Sequence, residues 1–375
     1  MKLIMKTALL CLFVLGCTVL LAGCGDTTSD ELDEDDIVTS GWWSIPIETF
    51  IADYKDLATG NAEQRSRFAW MLFARLNQPI PESAGADTFT VWELWASDPN
   101  TFVGDPPPGA PGDRTAPHIT PSAKSQLQPG EEKTRNSHSW DYIVKNTARK
   151  LYILSEVETI LGTSGGKIEF PVGSIEIKAL WDNTIPVDTG IYQISDSPAL
   201  YSLRGLHIMT KIALAADPVT DDSWFWTTFE YMNNPGYDHA MTLITPSARD
   251  SLPASDRTAL LKEAGLDKLP WTNYRLNGTQ IDFMDGTTPI ILGNTTMEAG
   301  FAFSTGNVNP PVGTPNDWIK WESSCHSCHY TASGTGSSVA SCCPGPPYPT
   351  GNVTLSPAGA KTIDFEWAIP FHAQH

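Results

Sequence analysis

One short run near the end of the chain restricts its architecture more than any other feature. Cys325-His326-Ser327-Cys328-His329 is followed by only 46 of the 375 residues. Cys-x-x-Cys-His is the spacing of covalent haem attachment. Two thiols three positions apart on one helical turn reach the two vinyl groups on one porphyrin edge. The adjacent His then ligates the iron through a ring nitrogen. A helical domain that starts at this motif and wraps the group afterwards has no room here. The body that houses the site must precede it, with a short tail contributing. Asp364-Phe365-Glu366-Trp367-Ala368-Ile369-Pro370-Phe371 supplies that tail with aromatics, as a plain C-terminal strand or as a cover for a porphyrin face.

The preceding body changes period along its length. Asn61-Ala62-Glu63-Gln64 has the form of a capping box, and Phe68, Met71, Leu72 and Leu76 follow at helical spacing. Val91, Trp92 and Trp95 predict a second short amphipathic helix within 88–95. Eight prolines between Pro99 and Pro129 predict an irregular stretch over 97–138. From about 150 the period shifts toward two. Ile175, Ile177 and Ala179 alternate with Glu176, Lys178 and Leu180, which predicts a half-buried strand. Gly190–Ile194, Leu203–Ile212 and Trp224–Phe229 read as further strands. Asn277-Gly278 between Asn273–Leu276 and Thr279–Phe283 predicts a hairpin turn. A helix over Ser255–Ala264 should end at Gly265. The expected fold is mixed α/β (α+β), a β-dominated body with N-terminal helices, and not a small all-helical cytochrome c fold.

The N-terminus reads as an export signal. Lys2 and Lys6 precede an apolar stretch from Ala8 to Ala22. Leu21-Ala22-Gly23-Cys24 resembles the bacterial lipobox, in which the Cys is acylated and becomes the new N-terminus. A transmembrane helix is the rival reading. The lipobox reading makes residues 1–23 a lipoprotein signal peptide and Cys24 the lipidation site. Gly25 after the Cys favours delivery to the outer membrane. Residues 26–36 carry seven acids, so 24–40 is expected to be an acidic, solvated tether. Residues 41–375 then form one globular domain, with the attachment segment at 323–332. The formal net charge of −19 becomes −21 once the two Lys of the leader are removed. That balance argues against a nucleic-acid partner and fits a docking partner bearing positive charge.

Cys11 and Cys17 leave with the leader, and Cys325, Cys328, Cys342 and Cys343 remain beside Cys24. Besides haem attachment, these cysteines admit a redox disulfide, a zinc site or structural disulfides. On the haem reading, Cys325 and Cys328 form the thioethers and His329 is an iron ligand. Candidates for a second iron ligand are His207, His239, His326, His372, Met209, Met232, Met241, Met284 and Met297. His207, in the apolar run Gly205-Leu206-His207-Ile208-Met209, ranks first, and Met297 second. Each has core packing or surface exposure as its ordinary alternative. Ser-His-Asp and His-Glu-x-x-His patterns and a Gly-rich phosphate loop are all missing from the sequence.

Several segments together are similar to a group of uncharacterised bacterial c-type cytochromes and cytochrome-c-like lipoproteins with a single C-terminal Cys-x-x-Cys-His. They include Phe68-Ala69-Trp70, Leu76-Asn77-Gln78-Pro79, Trp92-Glu93-Leu94-Trp95, Phe170-Pro171-Val172-Gly173 and Gly205-Leu206-His207-Ile208. Trp224-Phe225-Trp226-Thr227-Thr228-Phe229-Glu230, Asn234-Pro235, Leu292-Gly293-Asn294 and Ser323-Ser324-Cys325 complete them. The chain departs from the resemblance at Tyr231, where a His is expected, and in the Gly/Ser/Pro-rich stretch 333–351. The resemblance implies one covalent haem c but no particular reaction. The expected function is electron transfer by a lipid-anchored monohaem cytochrome facing the periplasm. The alternatives are a haem enzyme, a gas or peroxide sensor with an open iron position, or a zinc- or disulfide-stabilised binding lipoprotein without haem.

Overall fold

A computed structural model describes residues 41–80, 89–102, 130–144, 150–163, 165–188, 190–196, 199–213, 224–234, 241–297, 324–335, 338–339, 361–364 and 369. The export signal, Cys24, the acidic tether, His239, His372, Cys342 and Cys343 lie outside the described residues, as does most of the aromatic tail. No helix among the described residues is long and apolar enough to cross a membrane.

The N-terminal helices are α1 (Ile47–Asp53), α2 (Lys55–Thr59) and α3 (Ala62–Leu76). The capping box is present. Asn61 accepts from the Gln64 backbone N–H at 3.0 Å, and the Gln64 side chain accepts from the Asn61 N–H at 2.9 Å. Two otherwise orphaned donors of the first turn are thereby satisfied. The second short helix expected within 88–95 is instead a single 3-10 turn, Trp92–Leu94. Buried Glu93 holds it by accepting from the Thr90 backbone and hydroxyl at 2.7 and 2.8 Å.

The sequence expected 97–138 to be irregular, and its described ends are ordered. Strand β1 (Ala96–Ser97), helix α4 (Asp98–Phe102), strand β2 (Glu131–Arg135) and helix α5 (Ser137–Val144) occupy them. A buried guanidinium accounts for the order. Arg135 donates to Asp98 at 2.6 Å and to the Thr101 hydroxyl at 2.9 Å, and reaches Glu176 at 3.4 Å. The prolines all fall outside this anchor, apart from Pro99 in the first turn of α4.

Helix α6 (Leu154–Gly162) leads to β3 (Ile175–Asp182), β4 (Gln193–Asp196), β5 (Ala199–Lys211), β6 (Trp224–Tyr231), helix α7 (Ala254–Glu263) and β7 (Tyr274–Gln280). The strands form a seven-stranded antiparallel sheet in the order β1-β2-β3-β5-β6-β7, with β4 also paired to β5. This is the expected mixed architecture, a β-dominated body with N-terminal helices rather than a small all-helical fold. Gly265, at φ 72°, closes α7, and the Leu266 N–H returns to the Leu261 carbonyl at 2.7 Å.

Both faces of the sheet are covered. On one, Phe225 meets Phe68 of α3 edge-on at 5.1 Å, and Phe229 stacks on Phe73 at 4.3 Å. On the other, Trp224, Trp226 and Met209 join an apolar cluster with Ile143, Val157, Leu161, Leu292 and Ile363. The expectation of a half-buried β3 therefore needs correction. Ile175 through Trp181 are buried except Lys178, and α5 packs against the strand. The alternation of apolar and charged residues reflects buried ion pairs, not solvent.

The Asn277-Gly278 hairpin is also corrected. Both residues lie inside β7, where Thr228 pairs with Gly278 but Phe229 pairs with Leu276. Asn277 is thus the extra residue of a bulge. Its buried side-chain amide donates to Glu230 at 2.9 Å and to the Gly293 carbonyl at 3.1 Å. Gly278 is required by close approach: a Cβ there would stand 2.3 Å from the Ala248 carbonyl oxygen.

The described segment 361–364 is pinned to the sheet by a buried carboxylate. Asp364 accepts from Lys211 at 2.6 and 2.8 Å, from the Trp224 indole at 3.1 Å and from the Phe170 N–H at 2.6 Å. Removing one partner of a buried pair costs about 3–5 kcal/mol, since the other charge is left uncompensated. Asp364→Asn should therefore lower the urea midpoint by far more than Asn61→Ala, whose lost cap costs about 1 kcal/mol. Equal midpoints for the two variants would contradict this account of the tail.

Candidate functional site

The Cys-x-x-Cys-His run forms helix α8 (Cys325–Tyr330). Ser324 caps it, its hydroxyl accepting from the Ser327 N–H at 3.2 Å. Cys325 and Cys328 are three positions apart and His329 is four beyond Cys325, so all three fall on neighbouring positions of one helix face. All three are half-buried, and the two sulfurs are not joined by a disulfide. The Cys325 thiol lies 3.4 Å from the Leu292 carbonyl oxygen.

A side chain from the sheet holds this helix in place. Gln280, at the end of β7, donates to the Ser324 hydroxyl at 2.6 Å and accepts from the His326 backbone N–H at 3.2 Å. It thus satisfies one of the first-turn donors that a helix cannot satisfy itself. A parallel bridge between Leu292 and Ser324 adds backbone support. After the helix, the Ile363 N–H donates to the Ala332 carbonyl at 2.7 Å, which ties the site to the segment pinned by Asp364.

Aromatic rings surround the helix. The His329 ring lies 4.5 Å from the Trp226 ring, tilted by 52°. His326 projects differently, edge-on to Phe283 at 4.3 Å and to Trp226 at 6.4 Å. It is fully buried, and burial pushes its pKa down to about 3. The two histidines of the motif are therefore distinct. His326 is a neutral core residue at pH 7, while His329 sits at the helix end beside the two thiols.

The candidate second ligands are dispersed. Register places Met209 directly across from Trp226, and His207 across from Thr228, two residues further along the same face. Both therefore share the sheet face on which Trp226 meets His329. Met241 packs against the same apolar cluster as Cys325. Met297 is fully buried, its N–H held by Asn294 at 2.7 Å. Met232 follows β6 directly, and Met284 lies in a two-residue strand, Met284–Asp285. Among the described residues, no group of three or more His, Cys, Asp or Glu side chains gathers as a metal site. Cys342 and Cys343, which the zinc reading requires, lie outside those residues.

Gln280 and Phe283 escaped the sequence reading because they fall in the segment taken for the second half of a hairpin. Trp226 was visible only as part of a strand. Nothing in the spacing of a single sequence marks a glutamine 44 residues upstream as the clamp of the motif helix.

No family model, curated protein or solved structure matches the chain.

Gln280→Ala removes three hydrogen bonds, the two to the motif helix and one donated to the Asp282 carbonyl at 3.0 Å, and should cost about 3 kcal/mol at roughly 1 kcal/mol each. The variant should expose Cys325 and Cys328 to a thiol reagent several-fold faster, at unchanged far-ultraviolet dichroism. Unchanged thiol kinetics would contradict the clamp. The His326 shift carries a second expectation. Its folded pKa is depressed below the ordinary value of 6.5, so its contribution to stability is complete above pH 6.5 and is lost as pH falls toward about 3. Replacing His326 by Asn should flatten the pH dependence of unfolding across that window, measured by urea titration.

Proposed function

We propose that the chain is an exported, lipid-anchored c-type cytochrome with one covalent haem, and that it carries electrons at the periplasmic side of the cell envelope. The observation that carries this reading is the presentation of Cys325, Cys328 and His329 together on a capped and clamped helix face. The donor chemistry fits the group. Two half-buried thiols at one-turn spacing suit two thioether bonds, and an imidazole at the helix end suits iron ligation. The haem would supply one-electron iron chemistry at this position.

The protein's own residues supply the rest. Cys325 and Cys328 would form the two thioether bonds and His329 would bind the iron, its ring braced by Trp226 at 4.5 Å. The bracing ring limits reorientation of the imidazole, which favours fast electron transfer over ligand exchange. His207 would supply a second ligand to the iron, since it is a His outside the motif that shares the sheet face of Trp226. Met209 shares that face too, but it is 6% exposed and packed within the apolar cluster. The export signal routes the chain to a compartment where c-type haem attachment occurs, and Cys24 would anchor it there. The acidic balance fits a redox partner with a basic docking face, and no nucleic acid.

Visible spectroscopy of protein made in a host with c-haem maturation machinery tests the reading. The wild type should show a Soret band and, when reduced, the spectrum of a six-coordinate low-spin haem that does not change on adding CO. His207→Gly should convert it to a five-coordinate, CO-binding form, while Cys325→Ala/Cys328→Ala should lose the band. A wild type that binds CO readily would favour the enzyme or sensor reading instead.

A further inference from the structure

Lys211 and Asp364 bring an amine against a carboxyl in a nearly dry part of the core. Their side chains are 2% and 1% exposed. Buried Trp224 and Phe170 wall the pair, with ring centres 5.9 Å apart, and the Lys211 nitrogen stands 5.4 Å from the centre of the Trp224 ring. Among the described residues, Lys211 Nζ gives both of its hydrogen bonds to this one carboxylate, at 2.6 Å to Oδ1 and 2.8 Å to Oδ2. A nitrogen that close to both oxygens is about 3–3.5 Å from the carbon between them, the range of a near-attack contact. Asp364 presents its carboxyl from left-handed backbone at φ 48°, which no other described residue except glycine adopts. Lys361, the other lysine of this segment, is engaged by the Thr163 and Gly166 carbonyls at 2.8 and 3.3 Å, so the amine that faces Asp364 is Lys211.

The surroundings suit condensation as well as ion pairing. A neutral amine beside a neutral acid has no charge to desolvate, which favours transfer of a proton from Nζ to Oδ1 across the 2.6 Å contact. Burial pushes the Asp364 carboxyl up to about 6, against the opposing pull of Lys211 and of the hydrogen bonds from Phe170 and Trp224. A desolvated lysine amine is a nucleophile. Two further donors already aim at the carboxyl. The Phe170 N–H reaches Oδ2 at 2.6 Å, and the Trp224 indole N–H reaches Oδ1 at 3.1 Å. Fixed donors of this kind stabilise negative charge that develops on an attacked carboxyl oxygen.

We propose that Lys211 and Asp364 condense after folding into an intramolecular amide that staples segment 361–364 to strand β5. The lone pair of the neutral Nζ attacks Cγ of the protonated Asp364. A C–N bond forms, and one C–O electron pair moves onto Oδ2, where the Phe170 N–H receives the charge. The nitrogen then passes a proton to the hydroxyl at Oδ1. The oxyanion collapses to a carbonyl, the bond from Cγ to Oδ1 breaks, and one water leaves. No electron is gained or lost, and no co-reactant is consumed. Scarcity of water in the buried site disfavours the reverse hydrolysis. The product joins residues 153 positions apart and makes permanent the closure that holds Ile363 against Ala332, next to the motif helix. None of this chemistry requires the haem.

Peptide mapping of the purified full chain by mass spectrometry tests the assignment, on fresh protein and after incubation at neutral pH. The wild type should yield a branched peptide in which Lys211 and Asp364 are joined, with the summed mass of its two arms less one water. Fragmentation should place the link between these two side chains. Lys211→Arg keeps the cation but removes the amine nucleophile, and should yield the two peptides separately at full mass. Recovery of Lys211 and Asp364 from the incubated wild type only in separate, full-mass peptides overturns the proposal. So does a loss of water at Asp364 that persists in Lys211→Arg, since closure of the aspartate on its own backbone would then account for it. The wild-type map decides alone if the variant does not fold.

Discussion

The described structure is organised around strand β6, which is buried along its whole length because it belongs to two cores at once. Phe225 and Phe229 pack against α3, while Trp224 and Trp226 face the opposite cluster. Burying large aromatic side chains on both faces contributes about 1.5–3 kcal/mol per side chain, so this strand is well anchored in both cores. The candidate site is built on that platform. The His329 ring rests on Trp226, and the helix that carries it is clamped from the adjacent strand by Gln280. A site seated on a strand between two cores is held more accurately than one on a loop.

The late position of the motif follows from the same arrangement. The body, from α1 to β7, is complete before the chain reaches Cys325. The motif helix then docks onto finished structure, and the last described segment returns to the sheet through Asp364 and Lys211. Among the described residues, the site is thereby held by long-range contacts to the sheet. The acidic composition is handled in the same way. Buried carboxylates such as Glu93, Glu230 and Asp364 are each met by several donors, as burial of charge requires.

Local signals in the sequence were read correctly where local physics decides. The capping box at Asn61, the end of α7 at Gly265 and the strand at Trp224 depend on neighbours a few residues away. The errors share one cause. Asn277-Gly278 has the composition of a tight turn, yet Asn277 is spent on Glu230 and Gly278 on the approach of Ala248, both distant in sequence. Arg135 orders the ends of a proline-rich stretch through Asp98 and Glu176, which no window of sequence connects. The motif itself was legible by spacing. Its supports, Gln280, Trp226 and Phe283, became visible only once the strand register was known.

The most direct test of the central claim is the intact mass of the purified protein from a host that matures c-type cytochromes, read beside a haem-stained denaturing gel. The account predicts the mass of the processed, lipidated chain plus one haem, with the stain retained after denaturation. A mass lacking haem, in protein that has been exported and processed at Cys24, would contradict it.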